Sequence, residues 1–476
     1  MSLAEIMTTE PTSRTPQEQD LRSANRGLDL LILLGVSSVF ATIPFQWTKD
    51  VPIGPIGLNP FHLAVAFCMM VYLLDFRHFA ALGDILRKAI LTHIAVFSYL
   101  FAIGVTFFWS PYPEASLLVT IKYALIYLVA LGVGSMIRVR PREFSIFLAY
   151  VAIPLSAFMF FVYACLVFRA EGKSFPTELL NAVKSKNLVI ITHQVVNPLL
   201  VEEEDESSDR GPKSAVVVKN TFAGSIFVLF CGAKLGSSAR PRQLLFHGLK
   251  PLRLLTMLGM VAAIGLLGSR SGLLIVFLSL SVEALVTASQ GMKGVLKILA
   301  LLTVTIGILI SFLFLDSGSD FLEGIQEIGI GRFDEVGDDS RWRNYHDAMQ
   351  AIQRDFPFGR GAGVSLPNGL KVHNNFLGGA FEAGLLGFLT ITAVYFLFWK
   401  DIISSFLKRV QLHVPLTSWE LWAFLAVLLP MFHCLLAGDA GRFNYAEWIC
   451  FALFWGFHGN RDYEQDPSLN PVITSD

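Results

Sequence analysis

Residues 252–289 read LRLLTMLGMVAAIGLLGSRSGLLIVFLSLSVEALVTAS. A helix rises 1.5 Å per residue and the hydrocarbon core of a bilayer is ~30 Å thick, so ~20 mostly apolar residues cross it once. The stretch holds two such runs, near 252–269 and 271–289. Only Gly268-Ser269-Arg270-Ser271-Gly272 parts them. Two membrane-length helices joined by a bare polar turn are therefore expected, and the same pattern recurs in both directions along the chain.

Further apolar runs lie near 27–46, 60–76, 91–110, 115–137, 143–168, 220–236, 294–315, 376–399, 419–437 and 442–458. The fold class expected is an all-α polytopic membrane protein with about twelve transmembrane helices. Composition agrees. Of 476 residues, 53% are hydrophobic and 16% charged, against ~25% charged in soluble domains. Too few polar side chains are present to cover a water-facing surface. The net charge of −1 identifies no partner, because charge asymmetry in such a chain lies between loops. Cys68, Cys165, Cys231, Cys434 and Cys450 all sit inside apolar runs without metal-ligand spacing, as small hydrophobes do.

The first ~26 residues are polar and lack the apolar stretch and cleavage site of a signal peptide. Read as a cytoplasmic tail, they set the orientation. The short inner loops then carry Arg77, Arg87, Lys88; Arg138, Arg140, Arg142; Lys234, Arg240, Arg242, Lys250, Arg253; Lys293, Lys297; and Lys400, Lys408, Arg409. The short outer loops carry Lys49, Arg270 and Arg442. Alternate loops obey the positive-inside rule, and both termini are expected in the cytoplasm. The chain divides into a polar tail (1–26), spans one to five (27–168), an outer loop (169–219), spans six to nine (220–315), a second outer loop (316–375), spans ten to twelve (376–458) and a tail (459–476). In the first outer loop, 188–192 and 216–218 have the composition of a small β-hairpin with an acidic tip at 202–206.

The outer side gathers the residues with chemical potential. Arg270 sits in a two-helix turn, where a guanidinium either snorkels to headgroups or meets an anion. The second loop holds a short amphipathic helix, capped by Asp339 or Ser340, with an apolar face of Trp342, Tyr345, Met349 and Ile352. Arg341 lies in its first turn, against the helix dipole; a bound anion or an acidic neighbour relieves that. Phe358-Gly359-Arg360-Gly361-Ala362-Gly363 can bring backbone N–H groups to an anion or can simply turn. His373 and Asn374 follow at the mouth of span ten; an unperturbed pKa of ~6.5 suits the histidine to proton abstraction. Glu382 falls about one and a half turns into that span and Lys122 about two turns into span four. Each needs a partner or a polar cleft there.

The order Ser269-Arg270-Ser271-Gly272, Ser340-Arg341-Trp342, Pro357-Phe358-Gly359-Arg360-Gly361-Ala362-Gly363, His373-Asn374, Glu382-Ala383-Gly384-Leu385-Leu386-Gly387 resembles the O-antigen ligase and O-antigen polymerase superfamily of bacterial envelope glycosyltransferases. The motifs cover roughly 220–400. The loop at 169–219 matches nothing in that pattern. The resemblance implies a GT-C-like helical fold in the bacterial inner membrane, with two extended periplasmic loops. It implies a glycosyltransferase, in lipopolysaccharide, O-antigen or exopolysaccharide assembly, that moves a glycan from undecaprenyl pyrophosphate to an acceptor hydroxyl. The acceptor would be lipid A core, a growing glycan, or a protein in the O-oligosaccharyltransferases. No metal, cofactor or nucleic acid is implied. Membrane lipids and other polysaccharide-assembly proteins are the remaining expected partners.

The matching catalytic positions are Arg270, Arg341 and His373. Two fixed cations can stabilise the charge that develops on pyrophosphate as the C1–O bond breaks. The histidine can take the acceptor's proton, and in-line attack would invert the anomeric centre. Arg360, Asn374 and Glu382 are further expected substrate contacts. Lys122 is a separate expectation, as an extension of the cationic groove. A transporter or flippase is the reading from another class, since twelve spans with both ends inside is a transporter layout. Against it, the two halves share no repeated motif or pair of broken helices.

Overall fold

The structure, a computed structural model, describes residues 16–45, 51–53, 56–170, 172–184, 195, 199, 219–238, 250–266, 270–288, 340–366, 372, 374–411, 418–430 and 445–457. In chain order the helices are α1 (Pro16–Thr42), α2 (Pro60–Tyr72), α3 (Arg77–Lys88), α4 (Ile90–Val105), α5 (Pro113–Val139), α6 (Pro141–Phe147), α7 (Ile153–Ala170), α8 (Phe175–Lys184), α9 (Lys219–Ser238), α10 (Lys250–Leu266), α11 (Arg270–Ala288), α12 (Ser340–Asp355), α13 (Asn375–Gln411), α14 (Ser418–Ala426) and α15 (Tyr445–Phe457). Between α1 and α2, Val51–Ile53 and Ile56–Leu58 pair as a two-stranded antiparallel hairpin.

Among the described residues, Gly27–Phe45, Ile90–Phe108, Pro113–Val139, Glu143–Arg169 and Asn375–Leu407 are long and apolar enough to cross a membrane. Shorter apolar helices at Ala223–Leu235, Leu274–Val286, Leu421–Pro430 and Tyr445–Phe457 fall on four more of the expected spans. The protein is a polytopic helical membrane protein. The expected ninth span (294–315) and the later part of the eleventh lie outside the described residues, as do the β-like runs 188–192 and 216–218.

The surface is turned inside out relative to a soluble protein. Leu91, Ile94, Phe97 and Phe101 on α4 and Leu118, Ile121, Leu125 and Leu128 on α5 are all exposed, each set along one helix face. Lipid is the solvent such faces fit. Inside, small residues let helices approach. Gly134 of α5 lies against Ala452 of α15, where a Cβ would meet the Ala452 carbonyl at 3.2 Å, and Gly456 packs back on Ile137. Close approach through small residues, rather than a hydrophobic drive, holds helices together in lipid.

Three departures from expectation have local causes. The stretch at 77–88, expected as a charged loop, is α3, bent 103° from α2; its buried His78 and Ile85 and its charged Arg87 and Lys88 give it two faces, as an interfacial helix has. The segment 169–219 contains α8, packed through Phe175 and Ala182 against Phe168 at the end of α7. The tenth span does not end at 399: α13 runs on through Lys400 and Lys408 to Gln411, because long charged residues are good helix formers once the helix leaves lipid. Pro154, inside the fifth span, has no N–H for the helix ladder, and the turn before it widens. Residues Leu148–Ala152 form a π-helical turn in which Ile153 N–H donates to Leu148 O, five residues back.

Polar contacts sort to two ends of the bundle. At one end Arg77 and Arg140 both pair with Asp29, Arg138 Nη1 donates to the Trp455 carbonyl at 2.9 Å, and Thr92 Oγ1 donates to Asp401 at 2.7 Å. Lys234 and Glu283 meet at 2.7 Å there, with Trp422 Nε1 donating to the same carboxylate at 3.1 Å. These residues lie in or beside the loops that carry the expected inner cations. The opposite end holds the segment 356–366.

Candidate active site

α12 forms where the amphipathic pattern places it, and it begins at Ser340. Of the expected apolar face, Ile352 packs against the buried side. Asn344, Ala348 and Ala351 are buried, while Met349 is 45% exposed. The small side chains let α12 seat against Val364, Leu366 and Val372 and against Phe381 of α13.

After α12 the chain turns into the glycine run and docks on a break in α13. At Ala383 and Gly384 the backbone leaves helical geometry, with Gly384 at φ 61° and ψ −145°. A break inside a span leaves N–H and C=O groups without helical partners, which is costly in lipid. The glycine run supplies them. Arg360 N–H donates to Phe381 O at 2.8 Å, Gly361 N–H to Glu382 O at 2.9 Å, and Leu385 N–H donates back to Pro357 O at 2.9 Å. Gly384 is required: a Cβ there would collide with the Pro357 carbonyl. On the other side Ala362 is held by the α4–α5 connection, accepting from Ser116 Oγ at 2.9 Å and donating to Thr106 Oγ1 at 3.2 Å. Gly361 has no room for a Cβ against the Ser110 side chain.

This geometry places several of the expected residues. The glycine run is not an anion nest: the N–H groups of Gly359, Arg360, Gly361, Ala362 and Gly363 all donate to protein acceptors. Glu382, expected as a substrate contact within a continuous helix, lies at the break and is 4% exposed; its Oε1 accepts from Gly363 N–H at 3.3 Å. It anchors the loop. Asn374 caps α13, its Oδ1 accepting from Phe376 N–H at 2.9 Å and Leu377 N–H at 3.1 Å, which satisfies first-turn donors and leaves that oxygen engaged. Lys122 stands on the exposed face of α5 with Leu118, Ile121 and Leu125, and it does not line the cavity described next.

That cavity, of about 750 Å³, opens between the start of α5 and the segment 360–366, lined among others by Tyr112, Glu114, Arg360 and Ser365. Arg360 is one of the residues on the cavity wall. Its Nη1 is buried with no hydrogen-bond partner among the described residues. Arg270 and Arg341 are placed by their backbones, each in the first turn of its helix, α11 and α12. Arg270 lies about 20 Å along α11 from Glu283, away from the cation-rich end. His373 lies outside the described residues, between the buried Val372 and the cap Asn374. Among the described residues no group of His, Cys, Asp and Glu could hold a metal ion.

Next to the cap is a buried polar chain that the sequence reading missed. Asn375 Nδ2 donates to Tyr395 Oη at 2.7 Å, and Tyr395 Oη reaches Glu447 Oε2 at 3.5 Å; Asn375 and Glu447 are both buried. Glu447, a carboxylate in the last span, was the visible signal. It ties α15 to the start of α13.

Residues 255–392, less than half of the chain, match the family model described as O-antigen ligase. Over that stretch the chain is similar to the O-antigen ligase family. The match spans Arg270, Arg341, Arg360, His373 and the break in α13. No curated protein matches the chain.

Proposed function

We propose that this chain is a membrane glycosyltransferase that moves a glycan from undecaprenyl pyrophosphate to an acceptor hydroxyl at the outer face of the inner membrane. The observation that carries the proposal is the O-antigen ligase match over 255–392, which contains the two arginines and the histidine. Both arginines stand in the first turn of a helix, where orphan N–H groups and the dipole favour an anion. The acceptor oxygen attacks C1 as the C1–O bond to pyrophosphate breaks. The leaving charge stays with the carrier's pyrophosphate, held by Arg270 and Arg341, and the acceptor's proton goes to His373. Attack opposite the leaving group inverts C1. The docked glycine run serves this chemistry indirectly: it fixes the end of α12 against the start of α13, and so the span of chain between Arg341 and His373.

The twelve-span layout, the periplasmic placement of 169–219 and 316–375 and the cytoplasmic placement of both termini belong to the same proposal. The pairing of Arg77 and Arg140 with Asp29 beside the expected inner loops supports them. Arg270→Ala, Arg341→Ala and His373→Ala should each reduce transfer from a polyprenyl-pyrophosphate glycan in membranes by 100-fold or more, on the order of what loss of a charge-stabilising donor costs. Unimpaired transfer by all three variants would exclude the assignment. The glycan profile of a deletion strain separates the acceptors. Carrier-linked polymer with no long chains on lipopolysaccharide marks a ligase, and single repeat units left on the core mark a polymerase.

A further inference from the structure

The cavity beside Arg360 is built for something, and neither the family match nor the pyrophosphate chemistry uses it. One wall is the turn into α5, with Tyr112 and Glu114; the other is the segment from Arg360 to Ser365. Arg360 brings a guanidinium side chain to that wall. Glu114 brings a carboxylate in the exposed first turn of α5, and Tyr112 a ring 63% exposed.

A phosphate does not fit this set. Glu114 would repel it, and the glycine-run N–H groups that could cradle it are engaged elsewhere. An acyl chain does not fit either, since it satisfies neither the guanidinium nor the carboxylate. A ligand with donors and acceptors on one edge and an apolar face on the other satisfies all of them. That description is a sugar ring. The cavity's ~750 Å³ falls in the range of small-molecule sites, ≈ 300–1,000 Å³.

We propose that Tyr112, Glu114 and Arg360 form a subsite for the sugar rings of a glycan substrate, separate from the pyrophosphate site. The inference rests on the glycosyltransferase reading. Glu114 accepts from ring hydroxyls, Arg360 donates to ring or hydroxyl oxygens, and the Tyr112 ring covers an apolar sugar face. Donor and acceptor glycans share this chemistry.

The test uses the full-length protein. In membrane transfer assays Tyr112→Ala, Glu114→Gln and Arg360→Ala should each raise KM about tenfold for one glycan substrate, as loss of a hydrogen bond to a charged group does. kcat should stay within about twofold. A rise in donor KM assigns the subsite to the donor glycan; a rise in acceptor KM assigns it to the acceptor. In detergent, saturation-transfer NMR with the free repeat-unit oligosaccharide, released from its carrier, should show ring-proton contacts that Arg360→Ala removes and excess inorganic pyrophosphate does not. Unchanged KM for both glycans, or displacement of the oligosaccharide by pyrophosphate, overturns the subsite. The oligosaccharide measurement needs no turnover. If transfer proves independent of Arg270, Arg341 and His373, the transferase reading fails while this result still decides whether the cavity binds sugar.

Discussion

Replacing Gly384 by Ala should uncouple the glycine run from α13. Two costs add. The residue holds φ 61° and ψ −145°, a region nearly closed to residues with a Cβ, at about 1–3 kcal/mol. The new methyl also collides with the Pro357 carbonyl, so the Leu385 N–H to Pro357 O bond must break, at about 0.5–1.5 kcal/mol. Together they come to about 2–4 kcal/mol, a factor of roughly 30–1,000 in the docking equilibrium. The assay has two arms: thermal unfolding of the detergent-purified protein and glycan transfer in membranes. Transfer should fall by at least tenfold and melting should shift downward. Gly83→Ala is the control, because nothing lies within 4 Å of a Cβ there and Ala is the better helix former. If Gly384→Ala melts and transfers as wild type, the docked loop does not position the catalytic segment, and the account of the break is wrong.

Three further outcomes are expected. Glu283→Ala should lower stability by about 1–3 kcal/mol, because it strips Lys234 and Trp422 of a shared partner in a half-buried pair; a Lys234→Ala/Glu283→Ala cycle with strictly additive melting shifts would refute that coupling. Ser116→Ala removes the donor to Ala362 O and should cost about 1 kcal/mol, seen as a lower melting temperature, whereas no shift would show that the α4–α5 connection does not hold the loop. Asp84 is partly buried, which raises its carboxyl pKa, but the Lys88 hydrogen bond and the Arg138 charge outweigh that and hold it below the usual range. A depressed folded pKa stabilises above the unfolded value and is lost as pH falls through the folded one. Asp84→Asn should therefore flatten the acid limb of a melting-temperature profile below about pH 4, and an unchanged limb would show that the pair with Arg138 adds nothing.

Spans were legible because their signal is local: twenty apolar residues announce themselves without reference to any partner. Helix α12 was legible for the same reason, from its 3.6-residue period. The place of Ala348 and Ala351 on its buried side was not, since hydrophobicity counts misrank alanine against methionine. The break at Gly384 was hidden by an apolar run that reads as continuous helix. Its glycine is explained only by Pro357, a residue 27 positions earlier in the chain. Glu382, Asn374 and Lys122 were singled out for being polar near a membrane boundary. The structure gives two of them backbone donors close by in the fold and sets the third on an exposed face. Arg360 lines the cavity, while its backbone N–H is engaged by Phe381 O. Glu114 and Tyr112 drew no notice in the sequence, where nothing marks a turn residue as facing a loop some 250 positions away.

The docking of the glycine run on the break in α13 has a consequence for anyone who would re-engineer this protein. Loop grafting is the usual way to transplant specificity, and it treats loops as cargo and spans as chassis. Here that division fails at one place. Residues 357–363 and 381–385 each hold the other's hydrogen-bonding groups, so moving one stretch between relatives strands the groups of the other within the lipid. A chimaera with its junctions at 339 and 411 moves the pair together and leaves the remaining spans untouched. One with a junction between 366 and 374 divides them and should fail to accumulate.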